Sequence, residues 1–157
     1  MGKALVDLST LNLEQDLLPL ARIQQHLPQR FEFSLIDGVC HLDKDEGLIV
    51  AWKDFGEDDW WTRGHFPGRP LVPGILMAEG AAQVATVLWK ECAELDGITI
   101  GFGGLESVRF RGQVTPPARM YFVSRTGKIG SRMAQFPAQA FVAGKLVFDG
   151  MILGVAI

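Results

Sequence analysis

An α+β domain in which a strongly curved antiparallel sheet wraps one long hydrophobic helix is the fold this sequence predicts. Three observations carry it. Ile75 to Leu95 is rich in Ala, Leu, Met and Val, has no internal proline and stops before Asp96-Gly97, which reads as one helix of about twenty residues and roughly 30 Å. Its residues are apolar on nearly every face, so other elements must surround it. Runs with strand character follow at Ile98 to Phe102, Ser107 to Val114, Arg119 to Arg125, Met133 to Val142 and Lys145 to Ile157, and a hairpin precedes the helix. Sequential hairpins bury such a helix with the simplest connections.

The elements can be justified in chain order. Residues 1–26 form a weakly patterned lead-in, with a short helix near Leu13 to Leu18 and a second opened by Pro19 and running through His26. From Phe31 the period changes to two: Phe33 to His41 and Gly47 to Lys53 read as a hairpin joined by the charged turn Leu42-Asp43-Lys44-Asp45-Glu46. Further on, Ala143-Gly144 marks a hairpin turn, and Thr126-Gly127 with Ile129-Gly130 another. In Val108-Arg109-Phe110-Arg111 the alternation sends Val108 and Phe110 to one face and the arginines to the other.

The totals narrow the function classes. A chain of 157 residues, 48% hydrophobic, buries one substantial core, which makes residues 27–157 a single domain behind the lead-in. A net charge of −3 and a pI near 5.6 argue against a nucleic-acid partner. Cys40 and Cys92 are far apart and lack a second pair, so neither a disulfide framework nor a metal site is expected, and no metal-binding trio stands at ligand spacing. The amino terminus lacks a basic stretch followed by a long apolar run, and Val6 breaks a myristoylation pattern. The most apolar window, Leu71 to Trp89, holds Pro73, Glu79 and Gln83, which suits a buried helix rather than a membrane span. A cytoplasmic protein without a membrane partner is expected.

Acid/base chemistry is suggested by one segment. His65 stands in a loop stiffened by Pro67, Gly68, Pro70, Pro73 and Gly74, so the imidazole is held in one place relative to the next helix. On that helix Glu79, Gln83, Thr86 and Lys90 fall at steps of four, three and four, lining one stripe of an apolar cylinder. An isolated helical glutamate is more often a satisfied structural carboxylate, and a lone histidine more often a hydrogen-bonding residue. Their nearness here shifts both readings toward a site, whereas His26 and His41 lack comparable surroundings. Gly74 opens the helix, where the first N–H groups have no intrahelical partner and the dipole favours negative charge. With no side chain there, a carbonyl oxygen can approach the backbone and its developing charge can be stabilised.

These residues resemble the 3-hydroxyacyl-[acyl-carrier-protein] dehydratases of bacterial fatty acid synthesis, which have the hot-dog fold. The likeness is carried by His65-Phe66-Pro67-Gly68, Pro70, Pro73-Gly74, Glu79 and Gln83, and extends to Leu27-Pro28-Gln29-Arg30-Phe31, Val108-Arg109-Phe110-Arg111 and Gly144-Lys145-Leu146-Val147. It covers residues 27–157. The resemblance implies that His65 removes the proton beside a thioester carbonyl, that the Gly74 N–H holds the carbonyl oxygen, and that Glu79 protonates the departing hydroxyl. A trans-2-enoyl thioester results. It further implies that the Leu71 carbonyl orients the imidazole, that Phe66 and Gln83 belong to the substrate site, and that each site forms between two subunits of a homodimer or trimer of dimers. The acyl chain is carried on phosphopantetheine by acyl carrier protein, and no cofactor is needed. Glu79, where other members have Asp, resembles the branch that mainly dehydrates.

The chain also departs from the family's pattern. Gln29 and Glu32 replace a usual His and Pro, Trp60-Trp61-Thr62 replaces a more typical aromatic pair, and Pro116-Pro117-Ala118 replaces a Pro-Gly-Asp turn. Arg63 and Arg69 flank the histidine loop, where they suit either an acidic carrier or plain solvation. Two other readings stay open: a hot-dog acyl thioesterase, in which a carboxylate activates water, and a non-catalytic acyl-binding homologue.

Overall fold

The computed structural model describes residues 3–157. After a 3-10 turn at Leu8–Thr10 come α1 (Leu20–His26), a second 3-10 turn (Phe31–Phe33), β1 (Gly38–Asp43), β2 (Leu48–Phe55), α2 (Gly74–Cys92), β3 (Ile100–Phe110), β4 (Ala118–Arg125), β5 (Met133–Val142) and β6 (Lys145–Ala156). The six strands form one antiparallel sheet in the order β1-β2-β4-β5-β6-β3. α2 lies in its concave face, the expected hot-dog arrangement.

Strand alternation explains why the sheet is apolar on both sides. Ile49 and Ala51 of β2, Met120 and Phe122 of β4, and Ala134, Phe136, Ala138 and Ala140 of β5 point inward and pack with α2. The intervening Leu48, Val50, Val123 and Phe141 point outward, beside Cys40 of β1. There they meet Leu5, Val6, Leu8, Leu11 and Leu13 of the amino-terminal segment, which runs across the outer face as a strap. Gln139 fastens the strap by accepting from the Leu5 N–H at 2.8 Å and donating to the Lys3 carbonyl at 3.1 Å. On the inner side Gly80 lets α2 settle on the sheet, because a Cβ there would collide with the Phe122 ring.

Three expectations need correction. The helix near Leu13 to Leu18 does not form, because this stretch lies on the sheet and the Leu17 N–H donates to the Val39 carbonyl. Phe33 to Asp37 is not strand: the Phe33 carbonyl and the Leu35 N–H bond to the Gln83 side chain, leaving β1 to begin at Gly38. The runs Ile98 to Phe102 and Ser107 to Val114 are not two strands: residues 100–110 form the single strand β3, whose pairing with β6 slips between Phe102 and Gly104 and between Glu106 and Arg109, and residues 111–114 lie beyond it. Cys40 is buried, and burial pushes its thiol up to about 11, whereas Cys92 is exposed.

The last turn of α2 is tied to the rest by a charge cluster. Glu91, whose side chain is only 4% exposed, receives Arg22 Nε at 3.0 Å, His26 Nε2 at 2.6 Å and Lys44 Nζ at 2.7 Å, so α1, α2 and the β1–β2 turn share one carboxylate. Burial pushes the Glu91 carboxyl upward, but the hydrogen bonds from Lys44, His26 and Arg22 outweigh it and hold the group down at about 2. A carboxyl held below its ordinary value of 4.5 stabilises the fold above that pH and loses its contribution as the pH falls toward 2. Glu91→Gln is therefore expected to lower stability at pH 7 by roughly 2 kcal/mol and to flatten the acid side of the stability curve, measured by urea unfolding from pH 2 to 7.

Candidate active site

The loop after Trp61 is built to hold one imidazole. The His65 N–H donates to the Trp61 carbonyl at 2.9 Å, and Phe66 and Arg69 exchange backbone bonds of 3.1 and 2.9 Å around Gly68. His65 and Leu71 are joined twice, by Leu71 N–H to His65 O and by His65 Nδ1 to Leu71 O, both at 2.8 Å. A carbonyl can only accept, so Nδ1 carries the proton and Nε2 is left as the basic nitrogen. Phe66, half exposed, stacks on the imidazole with ring centres 4.1 Å apart. His65 lines a cavity of about 350 Å³ with Trp60, Trp61, Arg63, Gly64 and Pro73.

Glu79 is held from the helix side. Gln83, one turn later and 1% exposed, donates through Nε2 to Glu79 Oε1 at 2.9 Å and to the Phe33 carbonyl at 2.8 Å, while its Oε1 accepts from the Leu35 N–H at 3.1 Å. One buried amide thus pins the carboxylate and the segment before β1 together. Gln29 Nε2 reaches the same Glu79 oxygen at 3.4 Å. Both donors fall on Oε1. Glu79, Gln29, Gln83, Thr86 and Phe102 are among the residues lining a separate cavity of about 60 Å³.

At Gly74 the helix begins with Pro73 as an uncapped start, and the Gly74 N–H bonds to no group among the described residues. A Cβ there would stand 2.9 Å from the Phe110 ring, so any other residue would push that ring aside. The position supplies a free N–H at the positive end of a 19-residue helix.

The expected site residues therefore fall into two groups. His65, Phe66, Leu71 and Gly74 gather around the loop and the start of α2; Glu79 and Gln83 stand one and two turns further along, facing Gln29. His65 and Glu79 line two different cavities. Gln29 was noted in the sequence only as a departure, and its bond to Glu79 could not be read from a separation of fifty residues along the chain. Among the described residues no group of His, Cys, Asp and Glu could hold a metal ion.

Comparison with known proteins points in one direction. Residues 27–151 match the family of FabA-like domains. The 3-hydroxyacyl-[acyl-carrier-protein] dehydratase FabZ of Moorella thermoacetica is 35% identical over 131 residues, covering 83% of this chain and 91% of that protein. Its namesake in Streptococcus equi subsp. zooepidemicus is 33% identical over 136 residues, covering 87% and 96%. Among solved structures, the dehydratase heterocomplex ApeI:P from Xenorhabdus doucetiae superposes with a TM-score of 0.69 at 15% identity over 86% of this chain and 90% of the other. A mutant thioesterase from Pseudomonas aeruginosa gives 0.68 at 13% over 93% and 99%. At those identities the two structures share the fold alone.

The Gln83 clamp yields a direct expectation. Gln83→Leu leaves the Leu35 N–H and the Phe33 carbonyl without their partner, so it should cost about 2 kcal/mol and lower the melting temperature by several degrees, read by calorimetry.

Proposed function

This chain belongs to the FabA-like domain family, and from that premise we propose that His65 and Glu79 are the base and acid of its reaction. It is a 3-hydroxyacyl-[acyl-carrier-protein] dehydratase, which removes water from a 3-hydroxyacyl thioester and leaves the trans-2-enoyl thioester. The observation that carries the residue assignment is the bond from His65 Nδ1 to the Leu71 carbonyl, which fixes the tautomer and turns a basic Nε2 outward.

The steps follow from that geometry. His65 Nε2 takes a proton from C2, and the negative charge that moves onto the thioester oxygen is met by the Gly74 N–H at the helix start. The protonated Glu79 carboxyl gives its proton to the 3-hydroxyl, the C3–O bond breaks with its electron pair on oxygen, and water departs. The C2–H electrons become the C2=C3 bond. His65 returns its proton and Glu79 regains one through solvent. These transfers are redox-neutral, and the substrate's phosphopantetheine arm brings its own thioester. Phe66 borders the entry, and Gln83 keeps Glu79 facing the site.

Because His65 and Glu79 line different cavities in one chain, we assign each active site to two subunits. β3 supports this: it is an edge strand with Phe102, Leu105 and Phe110 exposed. Pairing two such edges across a two-fold axis covers these side chains and sets His65 of one subunit toward Glu79 of its partner. A homodimer, alone or as a trimer of dimers, is the assembly proposed. Among the described residues no helix is long and apolar enough to cross a membrane, and a cytoplasmic enzyme is the reading adopted here.

His65→Ala should reduce hydration of a crotonyl thioester, the reverse reaction, by roughly a hundredfold or more, followed by loss of enoyl absorbance; Glu79→Gln should do the same. Release of free thiol by the unsubstituted enzyme, with no hydration, would instead favour a thioesterase. Arg63 and Arg69 are exposed beside the loop, and we assign them to docking the acidic carrier. Turnover of the carrier-linked substrate should then fall steeply between low and physiological salt while a small pantetheine thioester is unaffected; equal salt response of both would remove the assignment.

A further inference from the structure

Gln29 has one satisfied end and one that is not. Its Nε2 donates to Glu79 Oε1, while its Oε1 is buried and has no hydrogen-bond partner among the described residues. The same residue lines the 60 Å³ cavity that Glu79 borders. A buried carbonyl oxygen without a donor is costly to keep, and the cavity is large enough to hold an O–H group or a water. Donors from the neighbouring residues are spent: the two Nε2 hydrogens of Gln83 go to Glu79 and to the Phe33 carbonyl, and the Thr86 hydroxyl donates to the Ala82 carbonyl.

Resting on the dehydratase reading, we propose that Gln29 Oε1 accepts the hydrogen of the substrate's 3-hydroxyl and then one hydrogen of the water that hydroxyl becomes. A hydroxyl on C3 offers one hydrogen and an oxygen with lone pairs. Glu79 Oε2 delivers its proton to the oxygen, and Gln29 Oε1 receives the hydrogen already there. When the C3–O bond breaks, the new water points one hydrogen back at the Glu79 carboxylate and the other at Gln29. The amide neither gains nor loses a proton. It orients the leaving group and distinguishes a 3-hydroxyacyl chain from a saturated one, because only the former fills the vacant bond.

Binding without turnover tests this. In His65→Ala protein, affinities for 3-hydroxybutyryl-pantetheine and butyryl-pantetheine thioesters are measured by calorimetry, with and without Gln29→Met, a replacement of similar length that has no strong acceptor. The expected result is a preference of about tenfold for the hydroxylated ligand that Gln29→Met abolishes while butyryl affinity stays the same. A preference that survives Gln29→Met overturns the proposal. So does an equal fall in both affinities, which would mark Gln29 as structural only. Should the double variant not fold, a crystal structure of His65→Ala protein with 3-hydroxybutyryl-pantetheine decides: a hydroxyl within hydrogen-bond distance of Gln29 Oε1 supports the proposal, and any other placement overturns it. Failure of the dehydratase reading would look different, as an absence of His65-dependent hydration by protein carrying Gln29.

Discussion

A single buried amide organises this molecule. Gln83 stands on the concave side of the sheet with its three hydrogen bonds directed to Phe33, Leu35 and Glu79. Burying an amide among Val, Ala and Leu is unfavourable unless its bonds are made, so helix, pre-strand segment and carboxylate must be in place together. That requirement determines where β1 begins, how the chain approaches the sheet and which oxygen of Glu79 takes the Gln83 hydrogen bond. The surrounding apolar packing stabilises the fold without distinguishing among such alternatives; the amide does distinguish.

The imidazole obeys the opposite logic. It is fixed by its own loop, through paired bonds with Leu71, and makes no hydrogen bond to the helix among the described residues. His65 and Glu79 thus have separate supports and line different cavities. An arrangement of that kind suits the two-subunit site proposed above, since each half is held rigid by its own chain.

Much of this was readable in the chain before any coordinates. α2 spans Gly74–Cys92 against an expected Ile75 to Leu95, and β5 and β6 fall where alternation placed them, around the Ala143-Gly144 turn. These are features set by local period and turn chemistry. The His65 loop was legible for the same reason, since proline and glycine restrict the backbone residue by residue. What escaped was set by distant partners. The strand expected from Phe33 gives way because a helix side chain takes its backbone bonds. The amino-terminal helix near Leu13 gives way because Leu5, Leu8, Leu11 and Leu13 find a sheet face to cover. The Glu91 cluster joins α1, α2 and the β1–β2 turn, and the Gln29 contact joins the loop after α1 to α2. No periodicity encodes such meetings.

The amino-terminal strap has a consequence of its own. It is anchored near β4 and β5 by Arg125 and Gln139 and near β1 by the Leu17 bond to Val39, so it behaves as a tie rod across the back of an arched surface. An arch held at both feet keeps its radius, and that radius sets the clearance between strands and central helix. The seat of α2 is thereby governed in part from the far side of the molecule, by leucines packed on the outer face of the sheet.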